Sequence, residues 1–207
     1  MNMEATAIRR VVDVWTDQVA ELRENPAINH ILIFENRGEM MGCSNPHPHG
    51  QIWAQVSIPN ETAREMERMR AHYDRTGRTL LSDYLEREIA IQSRIVCENA
   101  GFVALVPFWA VWPFETLVIP RRPAQTLLDL TDGERNDLAD ILKRLTTRYD
   151  NLFGTMFPYS AGFHQAPVDG TLHPEWHLHM GLGFSHRVIL ENHCRSSGRA
   201  APAHRSR

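Results

Sequence analysis

His47 and His49 stand two residues apart in the stretch Cys43-Ser44-Asn45-Pro46-His47-Pro48-His49-Gly50-Gln51-Ile52-Trp53, with a proline before each and a glycine after the second. In an extended segment side chains at i and i+2 share a face, so the two imidazoles would point one way and Pro48 the other. Proline cannot donate to a sheet ladder, which puts the stretch at a sheet edge or at the lip of a strand. The Ser, Asn and Gly around the histidines let backbone amides approach an anion closely. A neutral imidazole, with a pKa near about 6.5, keeps one nitrogen free at neutral pH and suits a nucleophile that accepts a phosphoryl-type group and then releases it. The neutral amide of Gln51 can hold a phosphoryl oxygen without shuttling a proton. The plainer alternative is a proline-rich turn with exposed histidines. Against it, an apolar run from Ile52 to Ile58 follows at once and fixes the histidines at its mouth.

Together with Asn36 and Gly42, the run as far as Ala54 resembles the active-site signature of galactose-1-phosphate uridylyltransferases, a family of the histidine-triad superfamily. Hydrolases of that superfamily usually carry a third histidine where this chain has Gln51. The resemblance extends over residues 5 to 180 or so and takes in the runs 107–116 and 145–153. It implies an α+β fold, a histidine-triad-like antiparallel sheet with helices, in an incomplete two-half architecture. Residues 1–59 would end the first half, 60–183 would form a truncated second half, and 184–207 would be a divergent tail.

The resemblance also implies an activity: transfer of UMP from UDP-glucose to galactose-1-phosphate through a uridylyl-histidine. His49 would be the nucleophile, its second ring nitrogen held by the backbone carbonyl of His47. Asn36, Gly42, Cys43, Ser44 and Gln51 would bind substrate. Two metals are implied. His47 would be one ligand of a zinc whose other three come from an N-terminal portion this chain does not match, leaving that site incomplete. Iron would be held by Glu65, His164 and His179. The fourth iron ligand would fall at position 181, a glycine here, and His177 is the candidate to replace it. Judged without the resemblance, Glu65 reads as a solvated helix residue, Cys43 as a buried thiol, and Trp109, Trp112 and Phe114 as core and loop packing. The implied partners are the two sugar substrates, a second copy of the chain, and a separately encoded N-terminal half. Two other readings stand beside the enzyme: an inactive remnant or nucleotide-binding module of the same family, and a related nucleotide-sugar phosphorylase.

The elements that must position these residues follow from apolar spacing. Ile8, Val11, Val12, Trp15, Val19 and Leu22 predict a helix over 6–24. Strands are expected at 29–36 and 49–58, and helices at 61–75, capped by Asn60, and at 83–92, capped by Ser82. A hairpin follows around Asn99-Ala100-Gly101, then a strand at 115–120. Thr131-Asp132-Gly133-Glu134 is a capping box for a helix at 132–151, with Leu138, Ile141, Leu142, Leu145, Tyr149 and Leu152 as its buried stripe. Strands at 156–165 and 176–183 close the pattern, which suggests a sheet with helices on one face. From Met180 the sequence leaves the family pattern, as a reading-frame change or split gene would make it, and its end reads as a basic disordered tail.

With 43% hydrophobic and 23% charged residues over 207 positions, the composition is that of an ordinary globular chain. A net charge of −3 argues against partners held by bulk positive charge. No apolar run approaches a membrane span, and three scattered cysteines fit reduced thiols in a cytoplasm.

Overall fold

The computed structural model describes residues 3–38 and 49–183, with His49 in its backbone only. Gly42, Cys43, Ser44 and His47 therefore lie outside the described residues, as does the tail from 184 onward. Among the described residues four α-helices and seven strands alternate irregularly: α1 Ala5–Leu22, β1 His30–Arg37, β2 His49–Gln55, α2 Asn60–Thr76, α3 Leu80–Ile91, β3 Ile95–Glu98, β4 Phe102–Leu105, β5 Thr116–Pro120, α4 Asp132–Phe153, β6 Tyr159–His164 and β7 His179–Gly183. The strands form one antiparallel sheet in the order β2-β1-β6-β7-β5-β4-β3.

Period-two alternation sorts the strand residues onto two faces. Ile31 and Ile33 of β1, Val118 of β5, Ala161 and Phe163 of β6, and Met180 and Leu182 of β7 pack against α1 and α4. Val103 and Leu105 of β4 and Leu117 and Ile119 of β5 pack the other way, onto Met69 of α2 and Leu81 and Leu85 of α3. Helices thus cover both faces, where the sequence pattern suggested one. The central strands show why: β4 and β5 are buried at every position, which needs apolar partners above and below.

Other expectations shift by a turn or less. Asn60 is the first residue of α2, not its cap; Pro59 holds that position without a side-chain bond, and Gly77 closes the helix with φ +69°. Thr79, not Ser82, caps α3, its hydroxyl accepting from the Ser82 N–H, so the helix starts at Leu80. Leu152 is 65% exposed, because the α4 stripe has turned away from the sheet by its last turn. Trp109, Trp112 and Phe114 are each at least two-fifths exposed rather than core, in a loop between β4 and β5. That loop is tied down by Tyr149, whose hydroxyl donates to the Phe114 carbonyl at 2.6 Å.

The capping box at the start of α4 forms as the sequence pattern indicates. The Thr131 hydroxyl accepts from the Glu134 N–H, while the Glu134 carboxylate accepts from the Thr131 N–H at 2.8 Å. Thr131→Ala removes one partner of this reciprocal pair. It is expected to lower unfolding free energy by about 1 kcal/mol, measured as a shift in urea midpoint with unchanged m-value.

Candidate functional site

The β1–β2 hairpin carries the residues that flank the histidine signature. Its register sets His49 opposite Asn36 and Gln51 opposite Phe34. Gly50 between them backs onto Trp15, where an added Cβ would come within 3.4 Å of the indole nitrogen. By alternation Gln51 therefore faces away from α1, toward the side of the sheet covered by α2 and α3. Trp53, two residues on, meets Phe34 edge to face at 4.8 Å. On the other flank of β1, the Ser160 hydroxyl of β6 donates to Asn36 Oδ1 at 2.6 Å, which orients that amide from a neighbouring strand. Just past β1, Gly38 adopts φ +93° and a Cβ there would lie 2.8 Å from Pro158, so glycine is required where the strand ends.

A second cluster lies on the same sheet face. β6 and β7 pair so that His164 sits opposite His179, with ring centroids 4.8 Å apart. Glu65 of α2 reaches down to both: its Oε2 is 2.9 Å from His164 Nδ1 and 4.0 Å from His179 Nε2. The ligand atoms of these three residues all lie within 4.8 Å of one another. His179 donates its Nδ1–H to the backbone carbonyl of His177 at 2.9 Å, leaving Nε2 as a lone pair facing Glu65. Such an outer bond fixes the tautomer a metal ligand needs. Metal–donor bonds of about 2.0–2.2 Å would set donors roughly 3–3.5 Å apart around one ion, and the observed separations bracket that spacing. The donor set and geometry fit a divalent metal.

The charges agree. Burial alone would raise the Glu65 carboxyl, but the charge and hydrogen bond of His164, helped by His179 and His30, hold it down at about 2. Burial works against a charge on His164, yet the Glu65 carboxylate raises its pKa above the ordinary value. Burial and the His164 charge push His179 down to about 4, which keeps it neutral at pH 7. Glu65, read from sequence alone as a solvated helix residue, is thus a half-buried member of the cluster.

His177 does not join it. This ring is fully buried and turned toward α3, with Nδ1 3.0 Å from the Thr79 hydroxyl and Nε2–H donating to the Pro120 carbonyl at 2.9 Å. Both nitrogens are engaged, so the expected replacement for the fourth ligand is excluded by its own hydrogen bonds. His30 went unnoticed in the sequence. It is 3% exposed, its charge state is coupled to His164 and Glu65, and burial pushes it down to about 4. Alternation along β1 was the available signal, since His30 shares the parity of Asn36.

A cavity of about 390 Å³ opens beside the cluster, lined by Glu65, His164, His179, Gly181, Arg68 and Trp109 among others. Comparison with known proteins identifies the chain as a whole. The model for the C-terminal domain of galactose-1-phosphate uridyl transferase matches residues 65–187. The chain belongs to the galactose-1-phosphate uridylyltransferase family. The family's N-terminal domain model matches residues 1–59. The C-terminal match runs past Met180, where the residue pattern was expected to depart from the family.

The galactose-1-phosphate uridylyltransferase of Haemophilus influenzae is 50% identical over 177 residues, which cover 86% of this chain and 50% of that protein. The Kluyveromyces lactis enzyme is 48% identical over 187 residues, with the same coverage. A solved uridylyltransferase structure superposes with a TM-score of 0.82 at 29% identity, over 87% of this chain and 56% of that one. An ADP-glucose phosphorylase from Arabidopsis thaliana shares the fold, with a TM-score of 0.79 at 22% identity. The chain spans about half the length of the curated relatives it matches.

The Glu65–His164 pair gives a direct test of the electrostatics. In metal-free protein, Glu65→Gln removes the group that raises the His164 pKa and leaves the burial that lowers it. The titration midpoint of the His164 ring, followed by NMR, is expected to fall from above its ordinary value to below it.

Proposed function

We propose that this chain carries the uridylyl-transfer chemistry of galactose-1-phosphate uridylyltransferase. His49 attacks the α-phosphorus of UDP-glucose, forming an N–P bond as the bond to glucose-1-phosphate breaks. The uridylyl-histidine is then attacked by a phosphate oxygen of galactose-1-phosphate, which restores the imidazole and releases UDP-galactose. Charge on the transferring group must be met by prearranged donors. Gln51, Ser44 and the backbone of Gly42 and Cys43 take that role, and Asn36, oriented by Ser160, holds the nucleotide sugar. The observation that carries this reading is the pairing of Asn36 with His49 across the hairpin, with Gln51 two residues along, in a chain 50% identical to a named uridylyltransferase.

Iron belongs to the same reading, held by Glu65, His164 and His179, and when bound it supplies a fixed positive charge that ties α2 to β6 and β7. Zinc enters through His47 alone, as part of a site shared with other sequence. The reading extends to a homodimer, to a separately supplied N-terminal segment, and to a cytoplasmic location, which a buried free thiol at Cys97 suits. No helix among the described residues is long and apolar enough to cross a membrane.

Mixing the purified chain with UDP-glucose should give a uridylyl adduct by intact mass that is lost in His49→Ala and consumed by galactose-1-phosphate. Tight UDP-glucose binding with no adduct, in the presence of the N-terminal segment of a relative, would instead mark a binding module. An adduct formed equally well from ADP-glucose would favour the phosphorylase reading.

A further inference from the structure

The three-residue cluster has an asymmetry that bears on what a bound ion could do. Glu65 approaches from α2, His164 from β6 and His179 from β7, so that the three donors leave the side toward the cavity to others. Among the described residues no fourth His, Cys, Asp or Glu joins the group. The nearest position on the strand face is two residues beyond His179, and there stands Gly181, where a Cβ would meet nothing within 4 Å. Gly181 also lines the cavity. Three other candidates are engaged elsewhere: His177 is bonded at both nitrogens, Glu61 on the cavity wall pairs with Arg64 at 3.1 Å, and Oε2 of Glu115, also on the wall, accepts from the Val111 and Trp112 amides at 3.1 and 3.3 Å.

Closed metal sites take all their donors from the protein, whereas three protein ligands and a vacant position leave an ion able to take a further one. Two imidazoles and one carboxylate with open positions is a recurring arrangement of that second kind. Charge adds direction. A divalent ion with one carboxylate and two neutral imidazoles carries a net single positive charge; on the cavity wall Arg64 is paired with Glu61 at 3.1 Å, and Arg68 shares the wall with Glu115, so the wall does not cancel that charge. The position therefore favours a small anion over a neutral donor.

We infer that the Glu65–His164–His179 centre is open at the Gly181 side, and that an ion held there takes up a small anionic donor from the cavity. This rests on the reading of these residues as metal-holding. The donor contributes a lone pair to the ion, and nothing is oxidised, reduced or transferred.

The test uses the full chain loaded with cobalt(II), whose visible d–d absorption reports its ligands, and azide as the anion. One bound cobalt per chain, lost in His164→Ala, is the outcome expected if the cluster holds metal. Absence of stoichiometric cobalt would overturn the metal reading itself. With cobalt bound, the spectrum is expected to shift saturably with azide and to respond more weakly to imidazole. A cobalt spectrum indifferent to azide would overturn the open position while leaving the metal site standing. Gly181→His offers a protein donor at the vacant side. It is expected to tighten cobalt binding and to abolish the azide response. Gly181→Ala, which fills open space only, keeps both properties of the parent and controls for any cost of a side chain on β7. An undiminished azide response in a folded, cobalt-loaded Gly181→His would place the vacancy elsewhere and sink the assignment.

Discussion

A carboxylate taken out of water needs a positive partner, and the Glu65 side chain sits where it has lost much of its hydration. His164 supplies that charge at 2.9 Å, and His179 stands behind it with its free nitrogen turned the same way. Everything in the cluster depends on the register between β6 and β7. A one-residue slip of either strand would exchange its faces. His164 would then turn toward α1, where Phe163 now meets Trp15 edge to face at 5.5 Å. The buried apolar set on the α1 side therefore guards the polar set on the other.

Three of the chain's histidines lie within a few residues of one another in space or sequence, and the backbone assigns each a different state. His177 is neutral because it is buried and bridges Thr79 to the Pro120 carbonyl. His179 is neutral with its Nδ1–H committed to the carbonyl of His177. His164 is biased toward a charge by Glu65. The loop that delivers them is fastened by the same kind of chemistry: His173 lies between Asp169 and Glu175, at 3.0 and 3.2 Å. Arg70 approaches Glu175 Oε2 to 2.8 Å, at ion-pair distance but off hydrogen-bond alignment, so it contributes charge rather than a directed bond.

Much of this was legible beforehand, and the failures have physical causes. The long amphipathic helices declared themselves, since α1 and α4 each bury one stripe and α4 opens on a reciprocal cap. Helix starts without a regular stripe did not: Thr79 and Ser82 both suit a cap, and only burial of Leu81 decided for the earlier one. The number of helix layers was misjudged because short strands such as β4 and β5 are apolar throughout, and four or five such residues carry no periodicity from which to count faces. At the site, Glu65 looked like a helix-surface charge because the sequence of α2 is strongly polar; its environment is created by strands a hundred residues later. His177 was misassigned by extending strand alternation upstream of His179, whereas β7 begins at His179 itself and the preceding residues turn toward α3.

The boundary between the two family domains falls near residue 60, yet the sheet ignores it. β1 pairs along most of its length with β6, from Ile33 opposite Phe163 to Arg37 opposite Tyr159. The Ser160–Asn36 bond closes a gap of 124 positions. Closing so large a loop costs entropy before any contact repays it, and sheets built this way assemble slowly. The hairpin that bears the signature thus cannot reach its seat on β6 until β6, more than a hundred residues later, has been synthesised. Until then β1 has an uncovered flank, which makes the newly made hairpin a client for whatever shields nascent strands from one another.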